Sequence, residues 1–297
     1  MRVAVMGAGG VGGYVGGLLA RAGHAVALIA RGEHLRAIRQ GGLTVRSQWG
    51  DFQVRVAATD DPAQVGPVDL VLFTVKTYHN EQAIPLLRPL VGEGTSVLTL
   101  QNGVESPEQL GAALGPERVL PGAIYIEARV EAPGVVRQQG NVCRLVFGEA
   151  DGRVTPRVEA VAAALREAGI ATEVSTDILK TLWSKWLFIV ALAGVTAAAR
   201  ARAYEVLAVP AARELMVRVL REAEAVGRTR GVALDADIVE RTLRYLEAEA
   251  RFLKASMHSD LEAGRPLELE ALNGAVVRLG RQAGVPTPVN EVLYGLL

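Results

Sequence analysis

Apolar positions along this chain follow two different periods, and the change from one to the other falls near residue 177. In the first part, short apolar runs at 2–6, 25–30, 68–75 (VDLVLFTV) and 96–100 read as strands buried on both faces of a sheet. Between them lie stretches with helical spacing: 11–22 (Val11, Val15, Leu18, Leu19), 32–40, 80–90, 107–114 and 156–168. Apolar residues alternate with polar ones over 43–56, which predicts a hairpin or edge strands, while 119–129, 135–147 and 171–175 read as further strands. Strands alternating with helices predict an α/β, doubly wound parallel sheet over 1–176. From 177 onward, helical periods run through 177–199, 205–230, 235–263 and 268–283, so 177–297 is expected to be an all-α domain. Two domains suit a chain of 297 residues, with a ligand site expected in the cleft between them.

The first strand runs into Gly7-Ala8-Gly9-Gly10-Val11-Gly12, a G-x-G-x-x-G that opens the first helix. Strand, glycine turn, helix and strand within about 30 residues is the context of a dinucleotide fingerprint. Gly7 would allow the tight turn, Gly9 would let a pyrophosphate approach the backbone, and Gly12 would let helix and strand pack closely. The second strand ends not on the acid that usually binds a ribose 2′-hydroxyl but on Arg31, with Glu33 lying beyond Gly32. A guanidinium there suits a 2′-phosphate, so the expected cofactor is NADPH; the bland alternative is a solvated loop cation.

Composition narrows the class. Acidic and basic residues balance at 32 each without blocks of one sign, which argues against nucleic-acid or membrane-surface partners. Cys143 is the single cysteine, so no intramolecular disulfide forms and a thiolate metal cluster is not expected. The longest apolar run, 186–199, is too short to span a bilayer and reads as a buried helix. With no leader before the first strand, the expected compartment is the cytoplasm. The Ala-rich helical part could pair with a second copy as a homodimer or be covered by the first domain. Only four of the 32 basic residues are lysines (76, 180, 185 and 254), which singles each of them out.

Lys76 follows a buried strand, where it could bind a 2′-phosphate or a substrate carboxylate, or simply snorkel. Asn102 sits in Gln101-Asn102-Gly103, either as a turn former or as an amide that orders nicotinamide and substrate. Lys185 lies within LWSKWLF, in one of the most apolar helical stretches. Desolvation lowers a lysine pKa and suits it to proton transfer near neutral pH, although an amphipathic stem with a solvated head also fits. Glu268 is expected to open a helix, where a carboxylate also serves as a cap. His258 is expected on an exposed helical face, more a bystander than an acid or base.

Taken together, these motifs resemble the 2-dehydropantoate 2-reductase (ketopantoate reductase) family. The matching stretches are GAGGVGGYVGGLLARAGHAVALIAR, Val75-Lys76-Thr77, Gln101-Asn102-Gly103, Ala128-Arg129, Leu182-Trp183-Ser184-Lys185, Ser256-Met257, Gly264-Arg265, Glu268-Leu269-Glu270, Leu272-Asn273-Gly274 and Gly284-Val285-Pro286-Thr287-Pro288. The glycine turn alone is shared by many dehydrogenases; the ordered set covers nearly the whole chain and is specific. The resemblance implies a Rossmann-like domain (1–176) holding NADPH, joined to a helical substrate and catalytic domain (177–297). It implies Lys185 as proton donor, Asn102 and Ser256 as substrate contacts, and Gly7, Ala8, Gly9, Gly10, Val11, Gly12, Arg31, Lys76, Asn102, the Ala128 backbone and Glu268 as cofactor contacts. The partner it implies is a small 2-oxo acid, ketopantoate in the first place. The chain departs from the family where asparagines hold the hydroxy acid: those places are Ile189, Ala193, Ala203 and Leu253 here. Three readings follow: an NADPH-dependent 2-oxo acid reductase, a related dehydrogenase working in the oxidative direction, and an NADPH-binding protein without catalysis.

Overall fold

A computed structural model describes residues 1–297, and the chain divides into two units. One comprises Met1–Gln101 with Glu105–Ile178; the other comprises Asn102–Val104 with Leu179–Leu297.

The first unit is built on strands β1 (Arg2–Met6), β2 (Ala25–Ile29), β3 (Leu43–Arg46), β4 (Phe52–Val54), β5 (Ala57–Thr59), β6 (Val68–Phe73), β7 (Val91–Thr99), β8 (Val119–Ala132), β9 (Val135–Phe147) and β10 (Ala171–Val174). They form one sheet in the order β4-β3-β9-β8-β7-β6-β1-β2-β5, with β10 against β9. From β5 through β8 every pairing is parallel, as the alternation of strands and helices predicts. The sheet departs from a purely parallel one at β8 and β9, which pair antiparallel as a long hairpin, and at β3 and β4. Helices α1 (Gly10–Arg21), α2 (Gly32–Gly41), α3 (Asn80–Ala83), α4 (Ser106–Leu114) and α5 (Pro156–Glu167) complete the unit.

β1 shows why its run is apolar throughout. Val3 and Val5 point into one core with Val15, Leu19, Val161 and Leu165, while Ala4 and Met6 point into a second core with Phe73, Leu87 and Leu110. A strand with helices on both faces needs apolar residues at both phases of its two-residue period. The helix expected over 80–90 is cut short: α3 stops before Pro85, and Pro85–Leu90 is a 3₁₀ segment. Pro85 and Pro89 have no N–H to continue an α-helical ladder.

The second unit is all helical: α6 (Ile178–Ala199), α7 (Ala203–Ala208), α8 (Pro210–Thr229), α9 (Ile238–Glu249), α10 (Ser256–Glu262), α11 (Asn273–Ala283) and α12 (Pro288–Leu296). A single apolar core gathers Trp186, Leu187 and Val190 of α6, Leu220 and Val226 of α8, Leu246 of α9 and Val276 of α11. α6 occupies the helix expected over 177–199 but extends well beyond the apolar run 186–199, and its 22 residues are long and apolar enough by length and composition to cross a membrane. In the fold 67% of its most apolar stretch is buried within the protein. The long helical periods are also broken. Pro210 separates α7 from α8, and the extended backbone of Ala255 (φ −65°, ψ 140°) separates α9 from α10.

Candidate active site

β1 ends at Met6, and the chain turns through Gly7-Ala8-Gly9 into α1. Gly7 has φ +103°, and a Cβ on it would lie 2.8 Å from the Val75 nitrogen, so the turn requires glycine. A Cβ on Gly12 would sit 2.2 Å from the Gly7 carbonyl oxygen, and one on Gly10 would sit 2.3 Å from the Ala128 carbonyl oxygen on β8. Gly9 differs, since a Cβ there would meet nothing within 4 Å. It is the open side of the turn. The first helical bond runs from Gly13 N–H to the Gly9 carbonyl (2.7 Å), so the N–H groups of Gly10, Val11 and Gly12 precede the ladder. Gly9 caps α1 without a side chain that would compete for them. Unclaimed N–H groups, the positive end of a helix dipole and an open approach fit the pyrophosphate of a dinucleotide.

The turn is held from three directions. The N–H groups of Gly7 and Ala8 donate to the Ile29 carbonyl (3.2 and 3.1 Å), and the Thr74 hydroxyl donates to the Gly7 carbonyl (2.8 Å). His34 Nε2 donates to the Ala8 carbonyl (2.9 Å) while its Nδ1 accepts from Gly134 N–H (3.0 Å). These partners fix a neutral tautomer, and burial pushes the imidazole pKa down. Sequence reasoning passed over both side chains. The available signals were the polar Thr74 closing an apolar run, and a histidine one helical turn beyond Arg31.

Arg31 caps the start of α2 directly beyond β2, and it is exposed. The nearest acid, Glu33, pairs with Arg36. Lys76 lies beyond β6 in extended backbone and starts a 3₁₀ turn, its carbonyl accepting from His79 N–H (2.9 Å). Because β2, β1 and β6 are neighbours in the sheet, Arg31, the glycine turn and Lys76 stand in a row at the carboxyl ends of parallel strands. Ligands of doubly wound sheets bind there.

In the second unit, Lys185 lies on α6 on a stripe that keeps partial exposure with Thr181, Ser184, Phe188 and Ile189. Its Nζ donates to Asn102 Oδ1 (3.1 Å). Burial pushes the Lys185 pKa down to about 8, against the opposing pull of the Glu268 carboxylate. Glu268 itself is buried (5% exposed) and opens only a 3₁₀ turn, Leu269–Ala271, where its side chain makes no capping bond, in place of the capped helix expected. That turn is tied to α6 beside the lysine, because Trp186 Nε1 donates to the Ala271 carbonyl (2.9 Å). The structure thus gathers Lys185, Asn102 and Glu268. Ser256 is the exposed first residue of α10. His258 corrects another expectation: it is buried, 3.3 Å from Glu262, and burial pushes its pKa down. The inner face of α10 falls at Met257, His258 and Asp260, which puts the histidine inward.

An ammonium already holding an amide oxygen, with its pKa lowered by burial, can deliver a proton to a second oxygen brought next to it. The residues at which polar side chains were missed are apolar in their packing too. Ala193 and Ala203 are part of the helical core, and Ile189 and Leu253 pack against it.

Family models described as "Ketopantoate reductase PanE/ApbA" and "Ketopantoate reductase PanE/ApbA C terminal" match residues 3–152 and 177–297. A 2-dehydropantoate 2-reductase of Halobacterium salinarum is 34% identical over 299 residues, covering 100% of this chain and 98% of that protein. A crystal structure of a PanE/ApbA-family ketopantoate reductase from Ralstonia eutropha JMP134 superposes with a TM-score of 0.92 at 36% identity, covering 100% of this chain and 97% of that one. A D-mandelate dehydrogenase solved with NADH and anilino(oxo)acetate shares the fold, with a TM-score of 0.89 at 23% identity and coverage of 100% and 96%.

Proposed function

The chain belongs to the ketopantoate reductase family, and we propose that within it the protein is an NADPH-dependent reductase that converts 2-dehydropantoate to pantoate. The observation that carries the reading is Lys185, a partly buried ammonium with a lowered pKa, bonded to Asn102 and opposed by Glu268. The N–H groups at the start of α1 hold the pyrophosphate, with Gly9 leaving room for it. Arg31 and Lys76 bracket the turn and supply the positive charge that favours a 2′-phosphate over a hydroxyl. NADPH, when bound, would supply the hydride that reduces the carbonyl carbon. Lys185 stabilises the negative charge that develops on the carbonyl oxygen and passes its proton to it. Asn102 keeps the ammonium oriented, and the Glu268 carboxylate keeps enough of it charged near neutral pH. By the family resemblance, Ser256 and Asn102 would contact the substrate, and the Ala128 backbone and Glu268 would contact the cofactor.

NADPH oxidation with ketopantoate tests this, with Lys185→Ala as the comparison. The variant is expected to lose kcat by about 10²–10⁴-fold, with NADPH affinity little changed. Turnover near that of the wild type would remove Lys185 from its role. A second reading is favoured by the apolar setting of Ile189, Ala193, Ala203 and Leu253: a 2-oxo acid with a more apolar side chain is the better substrate. A panel of 2-oxo acids and of 2-hydroxy acids with NADP separates the two readings and shows the preferred direction.

A further inference from the structure

The loop after β6 that carries Lys76 is stitched to the end of β7 by side chains that the proposed chemistry does not use. Gln101 Nε2 has two hydrogens, and both are committed: one to the Val75 carbonyl (2.6 Å), immediately before Lys76, and one to Asn80 Oδ1 (2.7 Å). Asn80 in turn donates to Gln109 Oε1 (2.7 Å) and Ser106 Oγ (3.3 Å) on α4. Gln101, Asn80 and Ser106 are all buried. On its other side the same loop is tied to the glycine turn, through Thr74 N–H to the Met6 carbonyl (3.0 Å) and the Thr74 hydroxyl to the Gly7 carbonyl (2.8 Å). Residues 74–80 are therefore clamped at both ends, with Lys76 between the clamps.

The Gln101 acceptor tells against simple stabilisation. Its Oε1 is buried with no partner within the protein, a cost that an apolar residue at this place would avoid. The side chain is kept for its donor end, which points at the backbone next to Lys76. Local rules broken in this way are concentrated at functional sites. We propose that Gln101, braced by Asn80, is a positioning residue that fixes the Val75–Lys76 backbone so that the lysine meets the cofactor's 2′-phosphate. The proposal rests on the reading of Lys76 given above.

The test is a double-mutant cycle on the full-length protein, measuring kcat/KM for NADPH and for NADH with the best oxo acid. Gln101→Met keeps the length of the side chain and removes its donor; Gln101→Asn keeps an amide too short to reach Val75 and takes over if Gln101→Met does not fold. Lys76→Ala is expected to lower the NADPH-to-NADH preference, and Gln101→Met to lower it by about tenfold, mostly through KM for NADPH. On the Lys76→Ala background, Gln101→Met is expected to add less than about twofold, because both changes break one interaction. Equal losses with the two cofactors, an effect that persists without Lys76, or failure of both Gln101 variants to fold would overturn the proposal and leave a purely structural brace. An unchanged preference in Lys76→Ala alone would instead overturn the reading of Lys76 on which the proposal rests.

Discussion

At the scale of single residues, Lys185 carries a conflict between stability and the chemistry proposed for it. Its pKa falls from 10.5 to about 8 because burial disfavours the charge. At about 1.36 kcal/mol per pKa unit, this corresponds to roughly 3 kcal/mol of stability lost near neutral pH. The sign follows from proton uptake: between the two values the unfolded chain binds more protons, so the penalty is complete below about pH 8 and fades as pH rises towards 10.5. Lys185→Met is therefore expected to unfold at higher urea concentration than the wild type near neutral pH, with the gain shrinking above about pH 8 and gone by about pH 10.5. In the wild type, kcat/KM for reduction should fall as pH rises past about 8, because the neutral amine has no proton to give. A stability gain that did not change with pH would mean that desolvation of the charge is not what lowers the pKa.

At the scale of elements, the β1-turn-α1 unit separates two uses of glycine that the motif alone lumps together. Gly12 sits where a Cβ would fall 2.2 Å from backbone, so Gly12→Ala must push α1 off β1; overpacking of this kind costs about 1–3 kcal/mol. Gly9 has φ −73° and open space before it, so Gly9→Ala should change stability by no more than about 1 kcal/mol. Its methyl group would stand on the approach to the first-turn N–H groups, and NADPH affinity should fall. Urea midpoints and NADPH titrations of the two variants provide the check. If Gly9→Ala binds NADPH as tightly as the wild type, the cradle is not at this turn.

At the scale of the whole molecule, two units with separate apolar cores divide the work. The first bears the glycine turn, Arg31 and Lys76; the second bears Lys185, Asn102 and Glu268. The division cuts the chain next to a strand end, so that Gln101 belongs to the first unit and Asn102 to the second. A ligand that binds only the folded form stabilises it by mass action, by about 2.7 kcal/mol at one hundred times its Kd. Thermal scans should therefore show a larger rise in unfolding temperature with NADPH than with the same concentration of NADH. An equal rise would count against Arg31 and Lys76 as readers of the 2′-phosphate.

The class of fold and the family were legible in the sequence, because both are written in local patterns. Period two against period 3.6 separates the strands of the first unit from the helices of the second, and the glycine turn needs only its own strand and helix to be recognised. Lys185 stood out because a cation in LWSKWLF conflicts with its neighbours whatever surrounds it. Breaks within helical periods were not read from the sequence; Pro85 and Pro210 carry a local signal for them, because proline cannot continue a helical ladder, but the extended backbone at Ala255 has none. Partnerships over long separations were decided by the tertiary structure alone. The antiparallel pairing of β9 with β8, the meeting of Lys185 with Asn102 across 83 residues, and the bridge from His34 to Gly134 across 100 depend on which surfaces pack together. Burial is set in the same way, and so the inward turn of His258 and the burial of Glu268 could not be read from their own segments. A side chain's surroundings are made by elements distant in sequence, and no local pattern records them.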